Sequence, residues 1–455
     1  MSLNQVLDEV RRRVTPTAEE EGRLLSLAER LKKRILEVSS AYGVSVEPML
    51  VGSLPKGTWL RGEGDLDVFM LFPKHFNKRS LEDIGLRIAN EVSEGRGVRA
   101  YAEHPYLRFY VDGVKVDLVP ALKVDRADAK ATAVDRTPFH LEYVNSKLDD
   151  ELRANVRLLK RFMKGIGVYG AEARTLGFSG YVCELLTIKH GSFTRVLEAA
   201  AGWRPPTLVV LEAQPTVAFN HHIVVVDPTD PSRNAAAAVS LESYAVFIAA
   251  SQAFLEKPGI EFFYPPSLSP QRGAYIFELG YGVGGRHLVL VALTAPQVVE
   301  EVLWSEMRSS AHGLTQHLER YGFNPLSTWF WSDGAEAYFC LEVERVELPA
   351  YEKRVGPPVY AREDAKRFLA KNKGRALRGP WIEADRWVVE LPRRVTRIAE
   401  ALRRQGEVDL SPHIRANYTS ARILVDSEAL QVIASNSKLA TEFTRFYTHT
   451  PAWLS

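Results

Sequence analysis

Apolar residues in the N-terminal third of the chain recur first at the spacing of a helix and then at the spacing of strands. Thr17 and Glu20 form a capping box, which predicts a helix from there to about residue 42. The apolar face of this helix consists of Leu24, Leu27, Leu31, Ile35 and Val38. A strand is expected over 44–51, another after Gly64, and a helix over 81–93. These elements predict a compact α+β unit.

Two β-rich runs, 106–111 and 114–119, are separated only by Asp112-Gly113. This dipeptide between two such runs is the strongest short-range signal for a β-hairpin. Counting outward from the turn places Arg108 opposite Asp117. The alternation of side chains along the strand places Asp117 on the face that points away from the core.

The central part of the chain is predicted to be mostly helical. Asp149 or Asp150 caps a helix that runs to Gly165, and cations crowd the surface beside its apolar stripe. So many cations with few acids beside them indicate an anion nearby, unless they form an ordinary solvated face. They are Arg153, Arg157, Lys160, Arg161 and Lys164. Further elements are expected as a buried helix over 179–201, a strand over 223–226, a loop over 227–234 and a helix over 241–255.

Lys257-Pro258-Gly259 predicts a boundary before the C-terminal part. The order there is strand, helix, strand, strand, over 287–293, 298–321, 327–331 and 337–346. That order is consistent with an RRM-like α+β sheet, although the aromatic motifs with which such sheets stack bases are absent. Lys and Arg recur among aromatic residues from Arg362 onward, which favours contact with a phosphate backbone over an ordinary solvated surface. The loop over 371–375 is expected to contact RNA.

Candidate chemistry begins at a Gly52-Ser53 turn, which leads into a short helix-compatible segment with Pro55 near its start. The free N–H groups and positive dipole of a helix start suit a triphosphate. Gly64 then leads into a strand that carries Asp65 and Asp67, whose side chains share one face about 6.6 Å apart. Two such carboxylates can converge on a pair of divalent cations roughly 3.5–4 Å apart, as in polymerases. The alternative is an acidic pair that simply faces water.

Asp117 is the candidate for a third carboxylate of this site. A triad of Asp65, Asp67 and Asp117 would bind metal. The competing interpretation is a cross-strand ion pair between Arg108 and Asp117, worth less than about 1 kcal/mol.

Composition narrows the class of protein. A chain of 455 residues can bury large cores and is expected to form about three domains. The net charge is only +2, so any surface for nucleic acid must come from uneven placement of cations. Cys183 and Cys340 lack the spacing of a zinc site or a disulfide framework. The N-terminus does not resemble a signal peptide and no apolar run reaches the ~18 residues of a membrane helix, so a soluble, cytoplasmic protein without a membrane partner is expected.

The combination of Gly52-Ser53, Asp65-Leu66-Asp67 and a strand-borne Asp117 resembles the DNA polymerase β nucleotidyltransferase superfamily. Within that superfamily the chain looks like the archaeal (class I) CCA-adding enzymes, which are tRNA nucleotidyltransferases. The segments that carry this narrower resemblance are 52–60, 65–73, 136–140, 168–172 and 177–181.

The resemblance, together with the pattern of elements, implies three domains. These are a polymerase β-like catalytic head over 1–145, a mostly helical nucleotide-binding neck over 146–258, and an RNA-binding, RRM-like α+β body and tail over 259–455.

The resemblance also implies roles for individual residues. Asp65, Asp67 and Asp117 would be catalytic and would bind two Mg²⁺ ions. The implied ligands of ATP or CTP are Ser53, Lys56, His140, Lys160, Tyr169 and Arg233. Lys56 stands where the family usually has arginine, so a point charge replaces a bidentate fork.

Four of these ligands have roles that the resemblance specifies further. His140 would contact phosphate or sugar, Lys160 would neutralise the triphosphate, and Tyr169 would bind phosphate or stack on the base. Arg233 would face the incoming base and phosphates. The alternative for each is an ordinary packed or solvated side chain.

The implied activity is the untemplated, sequential addition of C, C and A from CTP and ATP to the 3′ end of tRNA, by an enzyme that often forms homodimers. A poly(A) polymerase or oligoadenylate synthetase would share the acidic triad. A small-molecule nucleotidyltransferase would not need the basic C-terminal half, and a non-enzymatic RNA-binding protein would not need the triad.

Overall fold

The computed structural model describes residues 2–101, 105–124, 136–270, 272–275, 277–278, 285–448, 450–451 and 453–454. The chain divides into two compact units, Met1–Pro266 with Pro451–Ser455, and Ser267–Thr450. The three-domain division with boundaries at 145 and 258 stays a prediction.

The first unit contains the elements that surround the candidate site. Its helices are α1 (Leu3–Val14), α2 (Ala18–Ala41), α3 (Lys78–Val92), α4 (Thr137–Lys147), α5 (Asp150–Gly165), α6 (Gly180–His190), α7 (Phe193–Ala201) and α8 (Leu241–Glu256). Its strands are β1 (Glu47–Val51), β2 (Leu66–Phe72), β3 (Val98–Tyr101), β4 (Pro105–Val111), β5 (Val114–Leu122), β6 (Thr207–Val209), β7 (Ile223–Asp227) and β8 (Asp230–Asn234).

A five-stranded sheet in the order β1-β2-β5-β4-β3 lies in the first unit. Strands β2 and β5 are parallel, and the other neighbours are antiparallel. Helices α2 and α3 cover one face, where Leu27, Val68 and Val116 belong to one apolar core. A smaller apolar cluster that includes Phe69 and Leu141 lies on the opposite face. The predicted α+β class is confirmed.

Local signals in the sequence place two of these elements correctly. Thr17 caps α2 and forms the capping box with Glu20. The hairpin of β4 and β5 pairs Arg108 with Asp117, in the register that the turn predicts. Asp112 and Gly113 have φ values of 51° and 77°, as a tight turn with two left-handed central residues requires.

Two expectations for the central part are wrong. Residues 179–201 form two helices, because Gly191 adopts φ 83° at the end of α6 and the hydroxyl of Ser192 caps the start of α7. The expected loop over 227–234 contains strand β8, which pairs with β7 through Asn234 and Val226.

The second unit contains a four-stranded antiparallel sheet. Its strands are β9 (His287–Thr294), β10 (Pro325–Ser332), β11 (Glu336–Val343) and β15 (Arg422–Val425), in the order β10-β11-β9-β15. Helix α9 (Glu300–Tyr321) connects β9 to β10. This is the strand order of a split β-α-β fold, and it agrees with the expected RRM-like sheet.

Further elements separate β11 from β15 and follow it in the chain. The strands β12 (Tyr351–Pro358), β13 (Arg378–Glu383) and β14 (Arg386–Pro392) form a separate three-stranded sheet in the order β12-β14-β13. The helices are α10 (Arg362–Asn372), α11 (Ile398–Arg403), α12 (Pro412–Tyr418), α13 (Ser427–Ser435) and α14 (Ser437–Thr448). Within the described ranges, every helix is too short or too polar to cross a membrane.

The close packing of α3 on the sheet gives a stability test. A Cβ at Gly85 would lie 2.6 Å from Pro120, which is inside van der Waals contact. We expect Gly85→Ala to lower the free energy of unfolding by about 1–3 kcal/mol through overpacking, measured by denaturant titration.

Gly22 in α2 is the matched control, because a Cβ there would meet nothing within 4 Å. Alanine should stabilise that helix by roughly 0.5–1 kcal/mol. Equal effects of the two substitutions would contradict the described packing of α3.

Candidate active site

The register of the two parallel strands brings two carboxylates side by side. Asp67 of β2 pairs directly with Asp117 of β5, so both side chains project from the same face of the sheet. Gly52 lies against Asp67 with φ 81°, and a Cβ at Gly52 would come within 2.2 Å of the Asp67 Oδ2 atom. Glycine is therefore required at this turn, both for its backbone conformation and for the close approach of the carboxylate.

Two cations neutralise the carboxylates on either side of Asp67. Arg108 donates to Asp117 through Nε and Nη2, both at 2.8 Å. Lys115 forms an ion pair with Asp65, which immediately precedes β2 and does not lie in the strand as expected. The two interpretations of Asp117 are therefore compatible, since it is both the partner of Arg108 and the neighbour of Asp67.

Asp67 has no ion pair with the described residues, and its surroundings change its pKa. Burial, with the charges of Asp117 and Asp65, raises the pKa of Asp67 to about 6, although Lys115 opposes this shift. A bound cation would relieve this repulsion, and carboxylate oxygens are the ligands that hard divalent cations prefer. The donor set thus fits a divalent metal. However, no three histidine, cysteine or acidic side chains already form a metal-binding group among the described residues.

The segment after Gly52 forms hydrogen-bonded turns and not the expected short helix. The N–H of Gly57 donates to the Leu54 carbonyl and the N–H of Thr58 donates to the Ser53 carbonyl, both at 3.0 Å. Ser53 is half-buried at the start of this segment. We call residues 52–58 the Gly-Ser turn. Its first residue, Gly52, lies against Asp67, and its last residues lie near cations of α5.

Three cations of α5 bind carbonyl oxygens of the Gly-Ser turn. Arg153 donates to the Lys56 carbonyl at 3.0 Å, Arg157 to that of Gly57 at 2.5 Å, and Lys160 to that of Thr58 at 3.1 Å. Their spacing along one face of α5 matches successive carbonyls. The crowding of cations, which had indicated an anion, is thus explained in part by the carbonyl oxygens of the turn, whose hydrogen-bonding capacity these cations satisfy.

A buried carboxylate, Glu184 of α6, joins the two lysines that were predicted to bind triphosphate. Its oxygens lie 2.8 Å from the Lys56 ammonium and 3.3 Å from that of Lys160, and they accept a hydrogen bond from Thr58 at 2.6 Å. Glu184, Lys56 and Lys160 are all at most 6% exposed. Burial opposes the charged form, but the two lysines and Thr58 outweigh it and lower the pKa of Glu184 to about 2.

A second buried carboxylate, Asp227 at the end of β7, joins two more predicted ligands. Its Oδ2 atom lies 2.9 Å from His140 Nε2 and 2.9 Å from Arg233 Nη1. Its Oδ1 atom accepts a hydrogen bond from the Tyr181 hydroxyl at 3.0 Å. The Tyr181 ring stacks on His140 and lies 5.3 Å from the Lys56 ammonium, so the groups around Asp227 and Glu184 are adjacent.

Tyr169 lies beside these groups, half-buried. A Cβ at Gly180 would lie 3.1 Å from the Tyr169 hydroxyl and 3.4 Å from the Lys160 ammonium, so glycine keeps this space open. A cavity of about 470 Å³ adjoins the group, and Arg233, Ser179 and Ala171 line part of it. That volume falls within the range of small-molecule sites.

Sequence reasoning did not single out Glu184, Asp227 or Tyr181. Glu184 stands alone among the apolar residues of α6, and an isolated acid in an apolar helix is a signal for a buried partner. Asp227 carried no such signal, because it was expected to lie in a loop and not at the end of a buried strand.

The basic C-terminal region is more balanced than its composition predicts. Many of its cations pair with acids, as Arg378 does with Glu390 and Arg393 with Glu352. Residues 371–375, which were expected to be a loop, are the end of α10 and the turn after it. They differ from the rest of the region, because Lys371, Lys373 and Arg375 are exposed and have no ion pair with the described part of the chain.

The Glu184 network gives a second stability test. Replacing Glu184 by alanine would leave two lysines buried without their counter-ion, so we expect Glu184→Ala to lower the free energy of unfolding by about 3–5 kcal/mol in denaturant titrations at pH 7. The folded-state pKa lies below the ordinary 4.5, so this stabilisation is complete above pH 4.5 and is lost as the pH falls toward about 2. The difference between wild type and variant should shrink across that window.

Glu142 of α4 is the control, because it is exposed. Its replacement by alanine should change the free energy of unfolding by no more than about 0.5 kcal/mol. A Glu184→Ala variant as stable as this control would rule out the described network.

Three family models match successive parts of the chain. Residues 30–140 match the nucleotidyltransferase domain, 154–264 match the second domain of tRNA nucleotidyltransferase, and 284–425 match the C-terminal domain of CCA-adding enzyme.

Curated proteins align with most of the chain. The CCA-adding enzyme of Methanothermobacter thermautotrophicus is 37% identical over 410 residues, which cover 88% of this chain and 89% of that protein. The CCA-adding enzyme of Saccharolobus islandicus is 35% identical over 448 residues, which cover 98% and 99%. Since these relatives align along nearly their whole length, the chain belongs to the CCA-adding enzymes, a family of nucleotidyltransferases.

Proposed function

We propose that this chain adds C, C and A in turn to the 3′ end of tRNA, using CTP and ATP, without a nucleic-acid template and with release of pyrophosphate. The observation that carries this proposal is the pairing of Asp67 with Asp117 beside the Gly-Ser turn, in a chain that aligns with CCA-adding enzymes along most of its length. Domains over 1–145, 146–258 and 259–455 are part of the same proposal.

Asp65, Asp67 and Asp117 would hold two Mg²⁺ ions, which suit oxygen ligands and triphosphates. When bound, these ions lower the pKa of the RNA 3′-hydroxyl and neutralise the charge of departing pyrophosphate. Arg108 and Lys115 balance two of these carboxylates within the chain.

The cations and aromatic groups beside the Gly-Ser turn bind the nucleoside triphosphate. Lys56 and Lys160 with Glu184 carry one net positive charge in a buried place, which attracts phosphate strongly because water screens it little. Ser53 adds a hydroxyl at the start of the turn. Arg233 lines the cavity, Tyr169 lies beside Gly180, and both contact the base or phosphates.

The C-terminal half holds the RNA. An A-form duplex is recognised by its shape and phosphates more than by base edges, and exposed cations such as those of 371–375 suit phosphates. The proposal includes a homodimer, which rests on the family resemblance alone.

Incorporation of nucleotides tests the substrate and the order of addition. The chain should be incubated with Mg²⁺, labelled CTP or ATP, and transcripts of one tRNA that end before, within or after CCA. We expect CMP to add only where C is missing, AMP to add only after the second C, and complete tRNA to stay unchanged.

Each alternative function gives a different result in this assay. Addition of ATP to any RNA would identify a polyadenylating enzyme, and addition to a small molecule alone would exclude a role for the C-terminal half in substrate binding. Binding of tRNA without any incorporation would identify an RNA-binding protein and overturn the proposal.

Replacement of Gly52 tests the position of Asp67. A Cβ at Gly52 overlaps the Asp67 carboxylate, so Gly52→Ala should reduce incorporation at least about 100-fold, comparable to the effect of removing a catalytic group by Asp67→Ala. Binding of tRNA, measured by filter retention, should change little.

Gly62 is a matched control because it also has a positive φ, 74°, but a Cβ there would meet nothing within 4 Å. Gly62→Ala therefore carries the backbone strain without the overlap, and most of its activity should remain. Equal losses in the two variants would show that strain, and not the displacement of Asp67, is responsible.

A further inference from the structure

Asp227 is a buried carboxylate whose hydrogen bonds all go to side chains or backbone of this chain. It is 0% exposed, so a substrate does not touch it directly. Its Oδ1 atom accepts hydrogen bonds from Tyr181 and from the N–H and hydroxyl of Thr229, at 2.8–3.0 Å. Its Oδ2 atom faces His140 and Arg233. The carboxylate therefore determines where these two predicted ligands of the nucleotide lie.

The position of Asp227 also selects the tautomer of His140. The carboxylate only accepts hydrogen bonds, so the Nε2 atom 2.9 Å away must carry a proton. The other ring nitrogen, Nδ1, has no hydrogen bond with the described part of the chain, and the side chain is 10% exposed. Whether Nδ1 donates or accepts depends on whether the ring is charged.

The surroundings favour the neutral ring. Arg233 already donates to the same Oδ2 atom, so Asp227 has a cationic partner without His140. Burial disfavours a charged ring most strongly, and the positive charges of Arg233 and Lys56 also oppose it. The pKa of His140 is therefore lowered from 6.5, although Asp227 acts in the opposite direction. In the neutral Nε2–H tautomer, Nδ1 is a hydrogen-bond acceptor.

We propose that Asp227 is a positioning residue that fixes His140 as the Nε2–H tautomer, so that Nδ1 accepts a hydrogen bond from a ribose hydroxyl of the bound nucleoside triphosphate. While the ring is neutral, a phosphate oxygen cannot fill this place, because both that oxygen and Nδ1 are acceptors. The resemblance left phosphate and sugar open for His140, and the hydrogen-bond chemistry selects the sugar.

The neighbours of His140 support the same part of the nucleotide. On one side the stacked Tyr181 ring separates His140 from Lys56, which is proposed to bind the triphosphate. On the other side Asp227 connects it to Arg233, which lines the adjoining cavity. The sugar lies between the phosphates and the base of a nucleotide, so a group between these two cations is placed to meet it.

This inference rests on the proposed function, because it requires that a nucleoside triphosphate binds beside His140. Affinities of analogues test it. The dissociation constants of CTP, 2′-deoxy-CTP, 3′-deoxy-CTP and UTP are measured by calorimetry with Mg²⁺ and without RNA, so that no incorporation occurs. We expect the wild type to bind CTP roughly tenfold more tightly than the deoxy analogue that lacks the contacted hydroxyl.

His140→Phe keeps a flat ring against Tyr181 and removes the acceptor. The variant should lose the preference for the ribose hydroxyl and bind the deoxy analogue as tightly as the wild type does. Tyr143→Phe on the same helix is the control, because it removes only a hydrogen bond to the exposed Glu212, and it should retain the preference of the wild type.

Asp227→Asn tests the positioning role. The amide oxygen of the variant can accept hydrogen bonds from Tyr181 and Thr229 only if the NH₂ group points toward His140 and Arg233. Nε2 of His140 must then accept a hydrogen bond, so the ring proton moves to Nδ1. Nitrogen-15 spectra of the His140 ring should therefore change from the Nε2–H to the Nδ1–H form in the full-length chain without nucleotide, and the preference for the hydroxyl should disappear.

The outcomes separate failure of the inference from failure of the proposed function. Equal weakening of all four nucleotides by His140→Phe would assign the contact to phosphate, and weakening of the cytidine nucleotides but not of UTP would assign it to the base amine. Either result overturns the inference and leaves nucleotide binding at this site intact. An Nδ1–H or doubly protonated ring in the wild type also overturns the inference. Absence of any nucleotide binding by the wild type would overturn the proposed function itself.

Discussion

The repulsion between Asp67 and Asp117 is the constraint on which the candidate site depends. Parallel pairing of β2 with β5 places these carboxylates next to each other, and the strands cannot separate them without losing the register of a buried sheet. Arg108 and Lys115 reduce this repulsion, because they neutralise Asp117 and Asp65, the acids on either side of Asp67. Both cations come from the same hairpin as Asp117. Burial and the charge of Asp117 together raise the pKa of Asp67.

Around the Gly-Ser turn, acids and cations also pair, but there the cations are the groups proposed to bind the substrate. Cations of α5 bind carbonyl oxygens of the turn, while Glu184 and Asp227 lie behind the groups that are proposed to bind nucleotide. Buried carboxylates hold long, flexible cations in place before a substrate arrives, so less side-chain entropy is lost on binding. A triphosphate would then meet groups that are already oriented.

The sequence predicts what local chemistry determines. The Asp112-Gly113 turn sets the register that places Asp117, and the capping box sets the start of α2, because both depend on residues within a few positions of one another. It did not predict the contact of Glu184 with Lys56, 128 residues away, or that of Asp227 with His140, 87 residues away. Such pairs depend on tertiary packing, which periodicity does not report. The two interpretations of Asp117 had to remain open for the same reason, since only the pairing of β2 with β5 places the partner of Arg108 beside Asp67.

Locating the metal tests most directly whether Asp67 and Asp117 form the candidate active site. Crystals of the chain with Mn²⁺ and a non-hydrolysable analogue of CTP would show the ion by its anomalous scattering. We expect anomalous density in contact with both Asp67 and Asp117, with the triphosphate beside the Gly-Ser turn. Density at any other position, with Asp67 bound to no ion, would contradict this expectation.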